Sequence, residues 1–514
     1  MKKSTSAFLD GPIFPALLHF TIPVLCALLL QALYGAVDLW AVGKFCGEAD
    51  VSAVATGSQT MLIVTGIVTG LSMGTTVLLG KHIGRGDEKA AAGTIGTSIC
   101  VFAILGIVLS AVMVFSASKI AVMMNAPPEA FEKTVRYILI CGAGSLFIVG
   151  YNLISAIFRG MGNSKDPLLF VAISCIANVI GDVILIKVFD MGTAGAAIAT
   201  IAAQGISVVF SLALIRKKGL PFPFGKENIR LHKKTAAAIL TLGFPIALQD
   251  MCNEISYLAI IGFVNALGVT ASAGVGVAEK LVMFILLIPM AYMQSISAFA
   301  AQNVGAAKAA RARRAMWTGM FTAVILGGIM SYLSFFHGDL LSRLFTDELP
   351  VINASAEFLK ATTIECLVLS VAYCFTGYYN GLGRTSFVMA QGLGGIFLVK
   401  IPYAWFASRQ PEPQLFQIGL ASAYAAVFTL IACGLYYLYI NRARLIDQMK
   451  YGGSLVQKGT IEWLHCPVCG NRTRNLIRED PVRFLFLLCC PNCRQQALID
   501  MKQLNISVIN RPDS

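Results

Sequence analysis

The chain has 514 residues, of which 56% are hydrophobic and only 13% charged, and its mean hydropathy is +0.72. Soluble globular domains carry about 25% charged residues, so this composition excludes a purely soluble protein and places most of the chain in a lipid bilayer. The net charge of +13 does not indicate nucleic-acid binding, because the lysines and arginines gather in alternate loops between apolar segments.

Apolar segments long enough to cross a bilayer recur through the first 440 residues. At about 35 residues per helix and loop, roughly twelve spans fit there. Basic loops follow every second span, so we expect a multi-pass protein of the bacterial inner membrane with both termini in the cytoplasm. The predicted spans lie near residues 14–42, 52–80, 93–116, 132–158, 167–189, 195–216, 235–265, 270–299, 315–336, 353–379, 386–408 and 416–440.

The sequence repeats itself at a period near 221 residues. Gly84 corresponds to Gly305, and Pro23 corresponds to Pro245 within one residue. An even number of helices in each half predicts an all-α membrane protein of two six-helix lobes in a parallel repeat, with a substrate path between them. The predicted domains are an N-terminal lobe (1–216), a basic cytoplasmic loop (217–234), a C-terminal lobe (235–440), a linker (441–460) and a zinc-ribbon-like tail (461–514).

Few polar residues interrupt the spans of the first half. Asn178 and Asp182 share one helix face because they are four residues apart. Asp38 and Asp182 both lie roughly 12–14 Å below the same outer surface at 1.5 Å per residue, and Tyr137 and Thr200 enter their spans to a comparable depth. Two carboxylates, an amide and a hydroxyl at one level predict either a Na⁺ site or a shared-proton site. Hydrogen bonding between helices is the structural alternative.

The second half has more dispersed charges. Asn253 and Glu254 lie in the seventh span, and Lys400 lies well inside the eleventh. We predict that these three residues line a substrate or cation pathway, since intramembrane charge usually marks one. For Glu279 and Lys280 in the eighth span, the favoured interpretation is a position near a helix end, where long side chains reach the interface.

The membrane part, about residues 10–445, resembles the multidrug and toxic compound extrusion (MATE) family. Any one of the matching motifs would be weak alone, but together they stand in order and at the right spacing. They are Pro23 with YGAVDLWAVGKF, then GLSMGTTVLLGKHIGRGD, FRGMGNSKDP, NVIGDVILI, GTAGAAIAT and AQNVGAAKAARA.

This resemblance implies an antiporter that exports organic, often cationic and amphipathic compounds in exchange for Na⁺ or H⁺, and it implies no enzymatic activity. Na⁺-coupled relatives of the NorM type place acids in the seventh and tenth spans. Here those positions are Asn253, beside Glu254, and Leu369, one turn from Glu365. The departure favours a coupling site in the first half. Carried over by motif, that site comprises Asp38, Asn178, Asp182 and Thr200, with Tyr137 and Asn152 around it and Pro23 as the position where the first span bends.

The last fifty residues contain two Cys-x-x-Cys pairs, Cys466 with Cys469 and Cys490 with Cys493, separated by twenty residues. This spacing predicts a structural Zn²⁺ site of four thiolates, and a cytoplasmic location disfavours disulfides. Residues 461–510 also resemble the small bacterial cysteine-rich KTR proteins, whose function does not carry over.

Two other functions remain possible from the sequence. A flippase for lipid-linked or other amphipathic endogenous substrates is the alternative within the same broad superfamily, but it predicts a strongly cationic cavity. A membrane-anchored zinc sensor or nucleic-acid tether does not explain the aligned acids of the first half. We therefore expect small organic substrates and a lipid environment, no need for nucleic acid, and a monomer.

Overall fold

The structure, a computed structural model, describes residues 8–451 and five strands between residues 461 and 510. Residues 13–218 form the N-lobe and residues 233–435 form the C-lobe. The helices of the N-lobe are α1 (Ile13–Phe45), α2 (Glu48–Arg85), α3 (Glu88–Met123), α4 (Phe131–Ala143), α5 (Ser145–Gly160), α6 (Lys165–Asp182) and α7 (Gly192–Lys218). Those that follow are α8 (Lys233–Asn265), α9 (Val269–Ile285), α10 (Leu287–Gly305), α11 (Ala309–Phe336), α12 (Gly338–Ser342), α13 (Leu349–Leu382), α14 (Thr385–Gly394), α15 (Ile401–Ser408) and α16 (Leu415–Tyr451).

The described helices confirm the predicted number of membrane spans. Eleven helical segments are long and apolar enough to cross a bilayer. The helices α4 and α5 meet at a bend of 50° beside Gly144 and together make a twelfth. Two spans contain a π-helical segment, Val183–Val188 after α6 and Gly395–Lys400 after α14. Pro23 is buried within α1, which continues through it without a break.

Each lobe has its own apolar core. In the N-lobe, the rings of Phe158 and Phe170 pack edge to face at 5.4 Å between centroids, beside the buried Phe102. In the C-lobe, Ile260 and Phe358 belong to a second buried cluster. The lobes also share buried contacts, because Ile239 and Ala247 of the C-lobe belong to the N-lobe cluster, and Met73 packs with Ile246.

The helices α2 and α10 cross in a reciprocal contact between the lobes. A Cβ at Gly84 would collide with the carbonyl oxygen of Gln302, and one at Gly305 would collide with that of Lys81. The Lys81 ammonium donates to the last carbonyl of α13 at 2.9 Å, and the Gln302 amide donates to the last carbonyl of α5 at 2.8 Å. Lys81 and Gln302 occupy equivalent positions in the two lobes, and each donates to the last carbonyl of a helix in the other lobe. An approximate two-fold axis relates the two contacts, which confirms the predicted repeat.

The segment before α1 ties the lobes together at the end of the bundle where the chain begins. Phe8 packs on Phe299 of the C-lobe at 4.8 Å between ring centroids, and its carbonyl accepts from Arg311 at 2.9 Å. Asp10 pairs with Lys308 at 2.6 Å, and this hydrogen bond lowers the pKa of the Asp10 carboxyl. These contacts join the segment before α1 to the C-lobe at this end of the bundle.

Residues 436–514 form a second compact unit. Strand β1 (Ile461–His465) pairs antiparallel with β2 (Arg472–Arg478). Strands β3 (Phe484–Cys489), β4 (Gln496–Lys502) and β5 (Asn505–Asn510) form an antiparallel sheet in that order. The predicted zinc ligands Cys466, Cys469, Cys490 and Cys493 lie outside the described residues, so the metal site stays a prediction.

Candidate functional site

The first candidate site is built around Asp38, which lies two turns before the end of α1 and is only 3% exposed. The hydroxyl of Thr200, on α7, donates to Oδ2 of Asp38 at 3.0 Å. Asn178 and Asp182 lie one turn apart on the same face of α6, and their side chains face Asp38. Three separate helices therefore bring together all four residues that the sequence placed at one depth. We call Asp38, Asn178, Asp182 and Thr200 the N-lobe acid site.

The polar atoms of the N-lobe acid site are largely without protein partners. Oδ1 of Asp38, both carboxylate oxygens of Asp182 and both polar atoms of the Asn178 amide are buried and form no hydrogen bond. Asn178 is 1% exposed and Asp182 is fully buried. Buried polar atoms are normally satisfied, and an unpaired buried carboxylate is costly. The unused oxygens fit a bound cation or protons shared between the two acids.

Two further side chains belong to this region and were not predicted from the sequence. Tyr34 lies one turn before Asp38 on α1, and its side chain is close to those of Asp38 and Gln204. Gln204 itself lies one turn after Thr200 on α7, and its side-chain oxygen is buried without a partner. The signal in the sequence was the four-residue spacing, which puts each of them on the same helix face as a predicted site residue.

Tyr137 and Asn152 make specific contacts close to the helices of the site. Tyr137 is buried, its hydroxyl lies 3.2 Å from that of Ser58, and its ring fills the space that a Cβ at Gly57 would occupy. Asn152 donates to the backbone of its own helix at 2.9 Å and accepts from Thr69 of α2 at 3.2 Å. The contacts of Asn152 are those of a residue that joins α5 to α2.

The charged residues of the C-lobe form a second group. Glu254 on α8, Glu279 on α9 and Glu365 on α13 all interact electrostatically with Lys400, at the end of the π-helical segment. We call Glu254, Glu279, Glu365 and Lys400 the C-lobe cluster. The sequence interpretation of Glu279 as a residue near a helix end does not fit its position, because Glu279 is half-buried and lies in the interior of α9. Its neighbour Lys280 is exposed, and so is Asn253 beside Glu254.

Two segments of equal length, residues 23–184 and 245–406, match the MatE family. They cover well over half of the chain and coincide with the two repeated halves of the fold. The chain belongs to the MatE family. It is therefore a membrane transporter, and this family assignment confirms the resemblance drawn from the motifs. The tail, residues 461–514, separately matches the Cysteine-rich KTR family.

Similar proteins extend over nearly the whole membrane part of this MatE chain. The "Probable multidrug resistance protein YpnP" of Bacillus subtilis is 28% identical over 84% of this chain and 96% of its own length. YoeA of the same organism, a "Probable multidrug resistance protein", is 23% identical over 84% of this chain and 94% of its length. A solved structure described as the outward-facing conformation of a multidrug resistance MATE family transporter of the MOP superfamily is 18% identical. It superposes with a TM-score of 0.79 over 86% of this chain and 98% of that chain, which shows the shared fold.

Proposed function

We propose that this transporter is a multidrug efflux antiporter, which exports organic cations of amphipathic character in exchange for Na⁺ or H⁺. The observation that carries the proposal is the N-lobe acid site, where buried carboxylate oxygens of Asp38 and Asp182 lack hydrogen-bond partners. A membrane protein retains such acids where ion movement depends on them. The relatives YpnP and YoeA are named as probable multidrug resistance proteins, so drug-like organic compounds are the substrates to test first.

The coupling cation acts in this proposal through the helices that supply its ligands. Asp38 comes from α1, Asn178 and Asp182 come from α6, and Thr200 comes from α7. A bound cation, or protons on both acids, removes the repulsion between the carboxylates and lets α1 pack against α6 and α7. An empty, ionised site favours separation of these helices. Exchange follows if the two arrangements differ in affinity for cation and substrate, because a ligand that binds both equally shifts nothing.

The substrate path in this proposal runs between the lobes. The contacts of Phe8 and Lys81 hold the lobes together at one end, and the proposed path is closed there. Pro23 lies within α1, between the closing contacts and Asp38, and is the position at which α1 would bend as the site fills and empties. The proposed residues along the path are Tyr137, Asn152, Asn253, Glu254 and Lys400.

We also retain three further expectations as proposals. The closed end faces the cytoplasm, since the basic loops follow the spans that finish there. The tail holds one structural Zn²⁺ through Cys466, Cys469, Cys490 and Cys493, because the matched family and the spacing agree. The transporter works as a monomer.

The test is dye export from inside-out vesicles or whole cells, driven in turn by a Na⁺ gradient and by a proton gradient. We expect wild type to export a cationic dye under one of the two gradients, and Asp38→Asn to abolish that export. Asp190→Asn is the matched control, since Asp190 is exposed and has φ = +51°, a conformation that asparagine tolerates. If neither gradient drives export of cationic dyes by wild type, the antiporter proposal is wrong and flipping of a fluorescent lipid becomes the next assay.

A further inference from the structure

A small cavity lies between the lobes, on the side of the N-lobe acid site toward the end of the bundle where the chain begins. Its walls come from α1, α5 and the start of α6 in the N-lobe and from α10 in the C-lobe. Gln31 lines the cavity and stands two turns before Asp38 on the same face of α1, which separates the two residues by roughly 10 Å along the helix. The cavity therefore lies apart from the N-lobe acid site.

The size of this cavity restricts what it can hold. The volume open to the centre of a water molecule is about 20 Å³. That is enough for one water-sized molecule or a monatomic ion, whereas pockets for drug-sized compounds measure roughly 300 Å³ or more. An organic substrate is therefore too large for the cavity.

Every polar side chain on the wall of the cavity can donate a hydrogen bond, and none is a carboxylate. These side chains are those of Gln31, Tyr151, Arg159, Ser164 and Gln294, and the rest of the wall is apolar. The amide nitrogen of Gln31 donates to the Tyr151 hydroxyl at 3.2 Å, so the hydroxyl hydrogen of Tyr151 is left to donate elsewhere. Tyr151, Ser164 and Gln294 are all buried. A wall with this set of donors and no carboxylate fits an anion better than a cation.

Arg159 adds a permanent positive charge to this wall, and no acid among the described residues pairs with it. Its Nε is buried and has no hydrogen-bond partner there. No carboxylate oxygen in the described part of the chain lies within 4.0 Å of its guanidinium. Asp166, the acid nearest to Arg159 in sequence, pairs with Lys218 at 3.0 Å and accepts from Asn163 at 2.7 Å. A guanidinium stays protonated and its burial without a counter-charge is costly, so a bound anion would supply the missing charge.

The local backbone does not require an arginine at this position. The glycine turn that follows α5 recurs after α13 in the other lobe, with φ = +78° at Gly162 and φ = +81° at Gly383. The residue three positions before this glycine is Arg159 in the N-lobe and Asn380 in the C-lobe. Because a neutral amide accompanies the same turn in the C-lobe, formation of the turn does not explain the guanidinium.

We propose that this cavity binds one chloride-sized inorganic anion, held by the guanidinium of Arg159 and by the donors of Tyr151, Ser164 and Gln294. Hydrogen bonds between an ionised donor and an anion are the strong ones in proteins, and Arg159 supplies the ionised donor. Gln294 belongs to the C-lobe and the other three residues belong to the N-lobe, so the anion links the lobes while they are together. The inference does not depend on the proposed antiport, because the cavity shares no residue with the N-lobe acid site.

The experiment measures chloride binding to the purified full chain by the broadening of the chlorine NMR line. Gluconate replaces chloride at constant Na⁺ concentration and ionic strength, so that cation binding does not change during the titration. We expect wild type to broaden the line, bromide to reverse the broadening and gluconate to have no effect, since gluconate is too large for the cavity. Absence of bromide-sensitive broadening in wild type would mean that the cavity holds water only, and overturns the inference.

Variants at Arg159 test the assigned ligand. Arg159→Gln should weaken chloride binding at least about tenfold, because it removes the charge, and Arg159→Lys should bind more tightly than Arg159→Gln. Arg216→Gln is the matched control, since Arg216 is an exposed arginine of α7 that does not line the cavity, and it should bind chloride as wild type does. A folded Arg159→Gln protein with the affinity of wild type overturns the inference.

Two further measurements keep the test decisive. Wild-type crystals soaked in bromide should show an anomalous difference peak between Arg159 and Gln294, which needs no variant to fold. Chloride binding in solution without a peak in this cavity would place the anion elsewhere and contradict the inference. Asp38→Asn should still bind chloride, so a failure of the proposed antiport function and a failure of this anion site can be told apart.

Discussion

The two lobes share a helix order and a reciprocal contact, yet they treat intramembrane charge in different ways. The N-lobe acid site has two buried carboxylates that face each other, with no basic group among the residues that contact them. The C-lobe cluster combines three glutamates with one lysine, Lys400, within electrostatic range of them. The repeat therefore preserves the helix arrangement of the two lobes, whereas their intramembrane charged residues differ.

The largest effect on transport is expected when a lysine, the basic residue of the C-lobe cluster, is placed in the N-lobe acid site. Asn178→Lys places an ammonium beside Asp38 and Asp182, so a coupling cation is excluded and ion-driven dye export should fall at least 100-fold. Transport in proteoliposomes measures this effect. Asn178→Gln, which keeps the amide, should stay within about tenfold of wild type, since it retains a neutral hydrogen-bonding group. Export that persists in Asn178→Lys contradicts the assignment of the site.

The shared scaffold can be tested at its reciprocal contact. Gly84→Ala pushes a methyl group into the backbone of Gln302, and we expect about 3 kcal/mol of destabilisation, the upper part of the range for overpacking. Gly305→Ala should have a similar effect, because it makes the corresponding contact with Lys81. Thermal unfolding in detergent measures both. Gly93→Ala is the control, because a Cβ added at Gly93 would meet nothing within 4 Å. Alanine is also the better helix former, so the melting temperature of this variant should be unchanged or higher. Equal melting temperatures for all three variants would refute the close contact.

A smaller change sharpens the N-lobe acid site itself. Thr200→Val removes the hydroxyl that donates to Asp38 at 3.0 Å. A hydrogen bond to a charged group contributes about 1.5 kcal/mol, so the concentration of driving ion needed for half-maximal export should rise roughly tenfold. Thr200→Ser keeps the donor and should restore most of that affinity. An unchanged ion dependence in Thr200→Val would separate Thr200 from the site.

The smallest effect on transport is expected from the tail. Deletion of residues 455–514 should leave dye export within about twofold of wild type, because both lobes and the N-lobe acid site are retained. The full chain should contain one zinc per molecule by elemental analysis, and the deleted chain should contain none. Export that requires the tail would mean that the cysteine-rich unit takes part in transport.

Sequence reasoning was effective where one physical rule determines the answer. Apolar length identified the spans, and the glycine pair Gly84 and Gly305 revealed the repeat because close helix contacts exclude side chains. Helix periodicity and depth within the spans were sufficient to group Asp38, Asn178 and Asp182. These features depend on local composition or on regular spacing along one helix.

The C-lobe required the structure because its geometry depends on irregular helices. Adjacent residues on a helix point about 100° apart, so the sequence could not decide between Asn253 and Glu254 as the one that faces Lys400. The π-helical segment that ends at Lys400 adds a further rotation that periodicity does not reveal. The break at Leu286 between α9 and α10 was also not visible from the sequence, although Val269–Gly305 remains one candidate span.

The most direct measurement of the central claim is the number of cations taken up per chain by wild type, Asp38→Asn and Glu365→Gln. The claim is that one N-lobe site carries the coupling ion. It predicts that Asp38→Asn takes up at least one cation fewer per chain than wild type and that Glu365→Gln takes up as many as wild type. Uptake that survives in Asp38→Asn and disappears in Glu365→Gln would contradict it, and would place coupling in the C-lobe.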